Sequence, residues 1–314
     1  MRIVIIGGGH FPAVNILFAL LEKNPSDQIF VLDDNLNNLP FELKRNPRIT
    51  FWQGTAKDKT LLKNLLSNAQ VLINLLEADS IENYISELSN IFEFAKDSNL
   101  ERIIHISSSR VYGDAENSPV TEEYPTKPTD LKGVMDALGE KLAYYYSSKY
   151  SLPIVMLRTF NIYGPHEPLN STIPLLITNA LKNKPLQLWG DGEQTENLLF
   201  VEDLIEAIQK ILKAKFDSLK GEIINIGNLG ATTTKEIANI ILSKLNKPQS
   251  LIAYEENNKP DSLFLVPSIM KAKILLSWSP KVEIEEGLEQ TISWYINNRD
   301  LWDTEVQKTE DRIF

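Results

Sequence analysis

The feature that most limits what this chain can fold into is its rhythm. Through the first half of the sequence, short β-branched and aliphatic runs alternate with segments of helical periodicity. Strand patterns fall at 2–6, 28–32, 49–53, 71–75, 102–107 and 153–158, with helical patterns at about 11–23, 58–67, 80–98 and 131–149 between them. Strands that alternate with helices form parallel βαβ units. Right-handed crossovers wind such units into an open α/β sheet covered on both faces, and ligands bind outside the carboxyl ends of its strands.

After Pro165 the rhythm changes. Helix 172–183, strand 185–189, helix 201–214, strand 222–226, helix 233–245 and helix 284–297 describe a smaller mixed lobe. Thr233 and Glu236 have the spacing of a capping box that opens its helix. The expected division is residues 1–165 for the sheet domain and 166–314 for the second lobe, with elements around 198–230 returning to the sheet. No repeat, low-complexity tract or flexible linker separates them.

Composition excludes several classes. The chain has no cysteine, so disulfides, thiol nucleophiles and thiolate metal sites are absent, which suits a reducing cytoplasm. A net charge of −10 without a dense basic block argues against nucleic acid and anionic membranes as partners. The apolar start, Arg2–Ile6, is too short for a signal-peptide core, and no run approaches the ~18 apolar residues of a membrane span. The three histidines, His10, His105 and His166, lack ligand spacing, so no metal site is expected.

Several segments carry a family resemblance. Ser107-Ser108-Ser109-Arg110-Val111-Tyr112-Gly113 and Arg158-Thr159-Phe160-Asn161-Ile162-Tyr163-Gly164-Pro165 resemble two signatures of the extended short-chain dehydrogenase/reductases, the NAD-dependent nucleotide-sugar epimerases and dehydratases. Leu186-Gln187-Leu188-Trp189-Gly190-Asp191-Gly192-Glu193-Gln194-Thr195, Phe200-Val201-Glu202-Asp203 and the stretch from Leu275 to Lys281 are similar to later segments of the same family. The resemblance implies a Rossmann-type fold with a smaller C-terminal mixed α/β substrate lobe. It also implies NAD as cofactor, a nucleotide sugar as ligand, and a homodimer through helices 80–98 and 131–149. That helical surface also suits a heteromeric partner.

The cofactor motif is half kept. The family spells the turn after the first strand Gly-x-x-Gly-x-x-Gly, because glycines let the backbone approach a pyrophosphate at a helix N-terminus. Here the slots hold Gly7, His10 and Ala13. The resemblance implies cofactor contacts from Gly7, Gly8, Gly9, His10, Phe11, Asp33, Asp34 and Ser107. Two readings of the turn stand side by side: a phosphate cradle that His10 touches, and a tight strand-to-helix turn without a ligand. An acidic residue at Asp33 or Asp34 would hold ribose hydroxyls and repel a 2′-phosphate, favouring NAD over NADP. Gly54-Thr55 stands where the family has Gly-Asp, and Asn74-Leu75-Leu76-Glu77 where it has a His-Leu-Ala-Ala type stretch. NAD binding is therefore expected to be weakened.

The catalytic pair is not kept. In the family a tyrosine moves the proton of a sugar hydroxyl while hydride passes to or from nicotinamide. A lysine four residues on poises the phenol, whose free pKa is ≈ 10, as a base. Counting back from the second signature, the tyrosine slot holds Lys132 and the lysine slot Asp136, while Ser108 keeps the serine slot. One helical turn apart, Lys132 and Asp136 are expected to pair as a salt bridge. Tyr145 and Lys149 match the Tyr-x-x-x-Lys spacing, but at 1.5 Å per residue Tyr145 lies roughly 20 Å beyond the cleft.

Of the substrate contacts, Asn161 remains. Glu196 replaces the arginine of the family's Gln-Thr-Arg-Asp pattern, and a carboxylate there opposes a diphosphate by roughly 3–4 kcal/mol at 4–5 Å. Three functions follow from these residues. The chain is a catalytically silent relative kept for nucleotide or protein binding, an active nucleotide-sugar epimerase or reductase using other residues, or a dinucleotide or metabolite sensor.

Overall fold

The computed structural model describes residues 1–37, 39–115, 118–256 and 265–303. Its centre is a seven-stranded parallel sheet. Across the sheet the strands run Ile223–Ile226, Ile154–Thr159, Arg102–Ser108, Val71–Asn74, Arg2–Ile6, Gln28–Asp33 and Ile49–Gln53. The fold is thus the expected Rossmann-type α/β sheet, and a strand from beyond Pro165, Ile223–Ile226, joins it beside Ile154–Thr159.

Alternation along the first strand shows why the sheet needs helices on both faces. Ile3 and Ile5 join one apolar cluster with Val14, Leu17, Leu204 and Ile208. Val4 and Ile6 point the other way and join Leu62, Tyr84, Leu88, Ile91 and Phe92. Successive side chains of a strand face opposite sides, so both faces are buried, at about 1.5–3 kcal/mol per large aliphatic side chain.

Strand order reverses between Arg2–Ile6 and Val71–Asn74, opening a crevice at their carboxyl ends. Gly7 occupies that point with φ +76°, and a Cβ on it would lie 2.2 Å from the Leu75 carbonyl oxygen. Only glycine lets the two strand ends come this close.

The helix Ile81–Ala95, capped by Ser80, and the helix Leu131–Tyr150, capped by Asp130, cover the sheet beside this crevice. Along these two helices Tyr84, Leu88, Ile91, Phe92 and Tyr146 are buried within the chain, whereas Ile81, Leu138 and Tyr145 are exposed. The smaller lobe has its own core, where Thr172–Leu181, Thr234–Lys244 and Ile284–Asn297 contribute Ile177, Ile241 and Leu288. The Thr233–Glu236 capping box is formed. Asp203 accepts from the backbone N–H groups of Lys281 and Val282 at 2.9 and 3.1 Å, tying the C-terminal segment to the helix Val201–Lys213. Among the described residues, no helix is long and apolar enough to cross a membrane.

Candidate active site at the carboxyl edge of the sheet

A cleft of about 620 Å³ opens between the sheet's carboxyl edge and the smaller lobe. It is lined by Gly7, His10, Phe11, Glu77, Ser107, Ser108, Arg110, Lys132, Asp136, Asn161, Glu167 and Glu196, among others. Most of the expected site residues therefore meet in one place. Gly8, Gly9, Asp33 and Asp34 lie outside this lining; Asp33 and Asp34 line a smaller groove next to it, of about 40 Å³.

The glycine turn is closed by its own contacts. The Gly9 N–H donates to Asp33 Oδ2 and the Asn35 N–H to Asp33 Oδ1, both at 2.8 Å. Asp33 is only 5% exposed, and each of its oxygens accepts one backbone N–H. The exposed Asp34 faces the same small groove. The helix that follows starts at Ala13 with Pro12 as its N-cap, so one N–H is missing where an anion would dock. The His10 imidazole lies between two acids, with Nδ1 3.7 Å from Asp33 Oδ2 and Nε2 3.9 Å from Glu77 Oε2.

The expected Lys132–Asp136 salt bridge does not form. Lys132 Nζ pairs with the Glu77 carboxylate, and both side chains are about half exposed at the cleft mouth. Asp136 lies on the buried side of the same helix, where its Oδ2 accepts the Ser108 hydroxyl at 2.5 Å. Tertiary neighbours outweigh helical spacing, because the inward-facing carboxylate needs a partner and the lysine reaches water and Glu77. Burial pushes the Asp136 carboxyl up to about 6, opposed by the Ser108 hydrogen bond and by Lys132, with Glu140 and Glu77 adding to the rise. The Ser107 hydroxyl donates to Glu140 Oε1 at 2.7 Å.

On the lobe side, Asn161 Nδ2 donates to Glu196 Oε2 at 3.2 Å. Burial raises the Glu196 carboxyl against the pull of Asn161 and Arg110. Glu167, a residue the motifs did not single out, is pushed up to about 8 by burial. The Gly164 N–H and Ser171 oppose that rise, while Glu196 adds to it. Both full cations in the cleft lining are already paired, Lys132 with Glu77 and Arg110 with Asp130 at 2.7 Å. The phenol of Tyr163 offers no base: its hydroxyl is buried, faces the backbone of Gly287 and has no hydrogen-bond partner among the described residues. Tyr145 and Lys149 bond to each other at 2.8 Å on the surface, outside the cleft lining.

The sequence model of the NAD dependent epimerase/dehydratase family matches residues 3–227. The chain belongs to this family. It is 28% identical to human dTDP-D-glucose 4,6-dehydratase, an alignment that covers 96% of this chain and 91% of that protein. It is also 28% identical to a trifunctional UDP-glucose 4,6-dehydratase/UDP-4-keto-6-deoxy-D-glucose 3,5-epimerase/UDP-4-keto-L-rhamnose-reductase of Arabidopsis thaliana, but spans only 48% of that longer protein. The dTDP-glucose 4,6-dehydratase of Bacillus anthracis, solved in complex with NAD, superposes with a TM-score of 0.89 at 28% identity, covering 97% of this chain and 99% of that one. The UDP-glucuronic acid 4-epimerase of Bacillus cereus, also with NAD, gives 0.83 at 28% identity, covering 94% and 96%.

Against this family, the donor set at the glycine turn does not fit a dinucleotide in the pose that the fingerprint implies. The Gly9 N–H is spent on Asp33, Pro12 has no N–H, and the acids Asp33 and Glu77 flank the approach. Two signals for this were readable in the sequence: the proline inside the turn, and Glu77 at the end of the fourth strand. What the cleft retains chemically is a pair of carboxyls that titrate near neutrality, Asp136 and Glu167.

Proposed function

We infer that this epimerase/dehydratase-family chain no longer performs the family's coupled proton and hydride transfer and is kept for binding a nucleotide or a protein. The observation that carries this reading is the state of the catalytic slots. An ammonium paired with Glu77 stands in the tyrosine slot, and a carboxyl bonded to Ser108 stands in the lysine slot. An ammonium held in a salt bridge accepts no proton from a sugar hydroxyl, and a carboxylate lowers no phenol's pKa. Ser108, Lys132 and Asp136 are thus remnants of the catalytic positions, with Asn161 and Glu196 as remnants of the substrate contacts. The protein belongs in the cytoplasm as a homodimer through the helices Ile81–Ala95 and Leu131–Tyr150, where Ile81, Leu138, Tyr144 and Tyr145 are exposed.

One observation favours a second reading, an active enzyme built on other residues. Asp136 and Glu167 share the cleft and titrate at about 6 and about 8, as an acid and base pair would. Prolonged incubation with NAD and a panel of UDP-, GDP- and dTDP-sugars, followed by chromatography, separates the two. The expected result is that every sugar returns unchanged. An epimerised or dehydrated sugar whose yield falls with Glu167→Gln would establish the second reading.

A further inference from the structure

The strand ends on the far side of Gly7 carry an observation that the catalytic slots do not explain. The loop after the strand Ile49–Gln53, which the family resemblance places against adenine, is stitched to the helix Ile81–Ala95 by three hydrogen bonds. The Ala56 N–H donates to Glu87 Oε2 at 3.0 Å, Asn90 Nδ2 donates to the Ala56 carbonyl at 3.1 Å, and Lys57 Nζ donates to Asn83 Oδ1 at 2.6 Å. Asn83, Glu87 and Asn90 are spaced four and three apart, so one helix face reaches the loop. Both backbone groups of Ala56 are thereby used within the chain. Glu87 is 7% exposed, on the same side of its helix as the core residues Tyr84, Leu88 and Ile91. A carboxyl so deeply placed needs a partner, and the Ala56 N–H supplies one.

The space that remains is small. The groove lined by Asp33, Asp34, Thr55, Ala56, Glu77 and Glu87 holds about 40 Å³. Small-molecule sites span roughly 300–1,000 Å³, and one water occupies about 30 Å³ of the liquid. The next acids along the crevice are engaged as well, Asp33 by Gly9 and Asn35 and Glu77 by Lys132, while His10 lies between them with its Nε2 unpartnered among the described residues.

We propose that this chain fills its dinucleotide seat with its own side chains, Glu87 at the adenine end and the Asp33–His10–Glu77–Lys132 series across the ribose and phosphate positions. The protein folds with no NAD(H) bound, and the 620 Å³ cleft that opens past Gly7, His10, Glu77 and Lys132 takes its ligand alone. Four carboxylates, those of Asp33, Asp34, Glu77 and Glu87, border the seat and disfavour a diphosphate. The inference goes beyond the loss of the catalytic pair, since a chain with tyrosine and lysine at 132 and 136 would still face a filled seat.

The test measures cofactor binding with no reference to turnover, so the two readings fail separately. Purified full-length protein is heat-denatured and its supernatant chromatographed for NAD(H), and fresh protein is titrated with NAD by calorimetry. The expected results are no stoichiometric NAD(H) and no saturation below the millimolar range. Glu87→Ala combined with His10→Gly should strengthen binding at least about tenfold, with a thermal melt confirming that the variant is folded. Stoichiometric NAD(H) from the native protein, or micromolar NAD affinity, overturns the proposal. So does a folded double variant that binds NAD no better than the native chain. The extraction requires no variant, so the proposal stays decidable if Glu87→Ala does not fold.

Discussion

Replacing Glu140 with alanine is expected to cost about 3–5 kcal/mol of folding stability, the effect of leaving a buried charge without its partner. Glu140 and Arg158 are 2% and 3% exposed. The guanidinium meets the carboxylate with two 2.8 Å bonds, from Nε to Oε1 and from Nη2 to Oε2. Its remaining donor, Nη1, reaches the Tyr112 hydroxyl at 2.9 Å and the Glu122 carbonyl at 3.0 Å, and Tyr112 in turn donates to Asn225 at 2.7 Å. Removing the carboxylate strands the guanidinium and also orphans the Ser107 hydroxyl. Urea denaturation checks the size. A loss of a few kcal/mol is a large share of the 5–15 kcal/mol typical of a domain, so poor soluble yield is a second sign. Replacing both partners with methionine should cost less than Glu140→Ala alone, because no charge is then stranded. If Glu140→Ala stays within 1 kcal/mol of the native chain, the network does not hold the helix Leu131–Tyr150 against the sheet as described. That helix carries Lys132 and Asp136, so the network also fixes the geometry of the catalytic slots.

The stability that Asp136 and Glu167 contribute should fall as pH rises from 5 to 9, and above pH 7 the buried imidazoles of His105 and His166, held down to about 4, no longer oppose that fall. Asp136 and Glu167 hold their protons more tightly in the folded chain than in the unfolded one, at about 6 and about 8 against an ordinary carboxyl value near 4. Between those values the folded state binds more protons, so the stabilisation is complete below about pH 4. It is lost as pH rises first through 6 and then through 8. Allowing for solvent reaching the cleft, the two groups together account for roughly 2–5 kcal/mol across this range. Denaturation midpoints measured at intervals of one pH unit check it, with Glu167→Gln expected to flatten the upper half of the curve. A native curve that rises from pH 7 to 9, above the range of the imidazoles, would mean that Glu167 is not buried in the protonated form.

The sheet was legible because buried parallel strands read as unbroken apolar runs, and Arg2–Ile6 and Ile154–Thr159 are of that kind. The helix Ile81–Ala95 was legible from its 3.6-residue period. The strands Asn161–Tyr163, Thr195–Glu196, Leu198–Phe200, Thr232–Thr233 and Ile252–Glu255 were not, since two to four residues display no period. At the site, counting from the Asn161 signature located Lys132 and Asp136, and the sequence alone exposed the missing tyrosine. Their partners were hidden, because helical spacing pointed Lys132 at Asp136 while the folded chain brings in Glu77 from 55 residues away. Glu167 follows a Gly-Pro turn and belongs to no motif; its high proton affinity comes from burial, which periodicity does not display. Glu87 carried a readable warning, a carboxylate on the apolar face that Tyr84, Leu88 and Ile91 define.

The central claim is that the ammonium in the tyrosine slot cannot take the proton of a sugar hydroxyl as hydride leaves. The most direct measurement is a single-turnover absorbance trace at 340 nm, with protein and a UDP- or dTDP-sugar at comparable concentrations and NAD in millimolar excess. It is recorded on the native chain and on the Glu87→Ala, His10→Gly variant, so that an empty cofactor seat cannot by itself explain a flat line. Both traces are expected to stay flat. A rise to a substantial fraction of the protein concentration, abolished by Ser108→Ala, would contradict the claim and show that chemistry survives without the tyrosine.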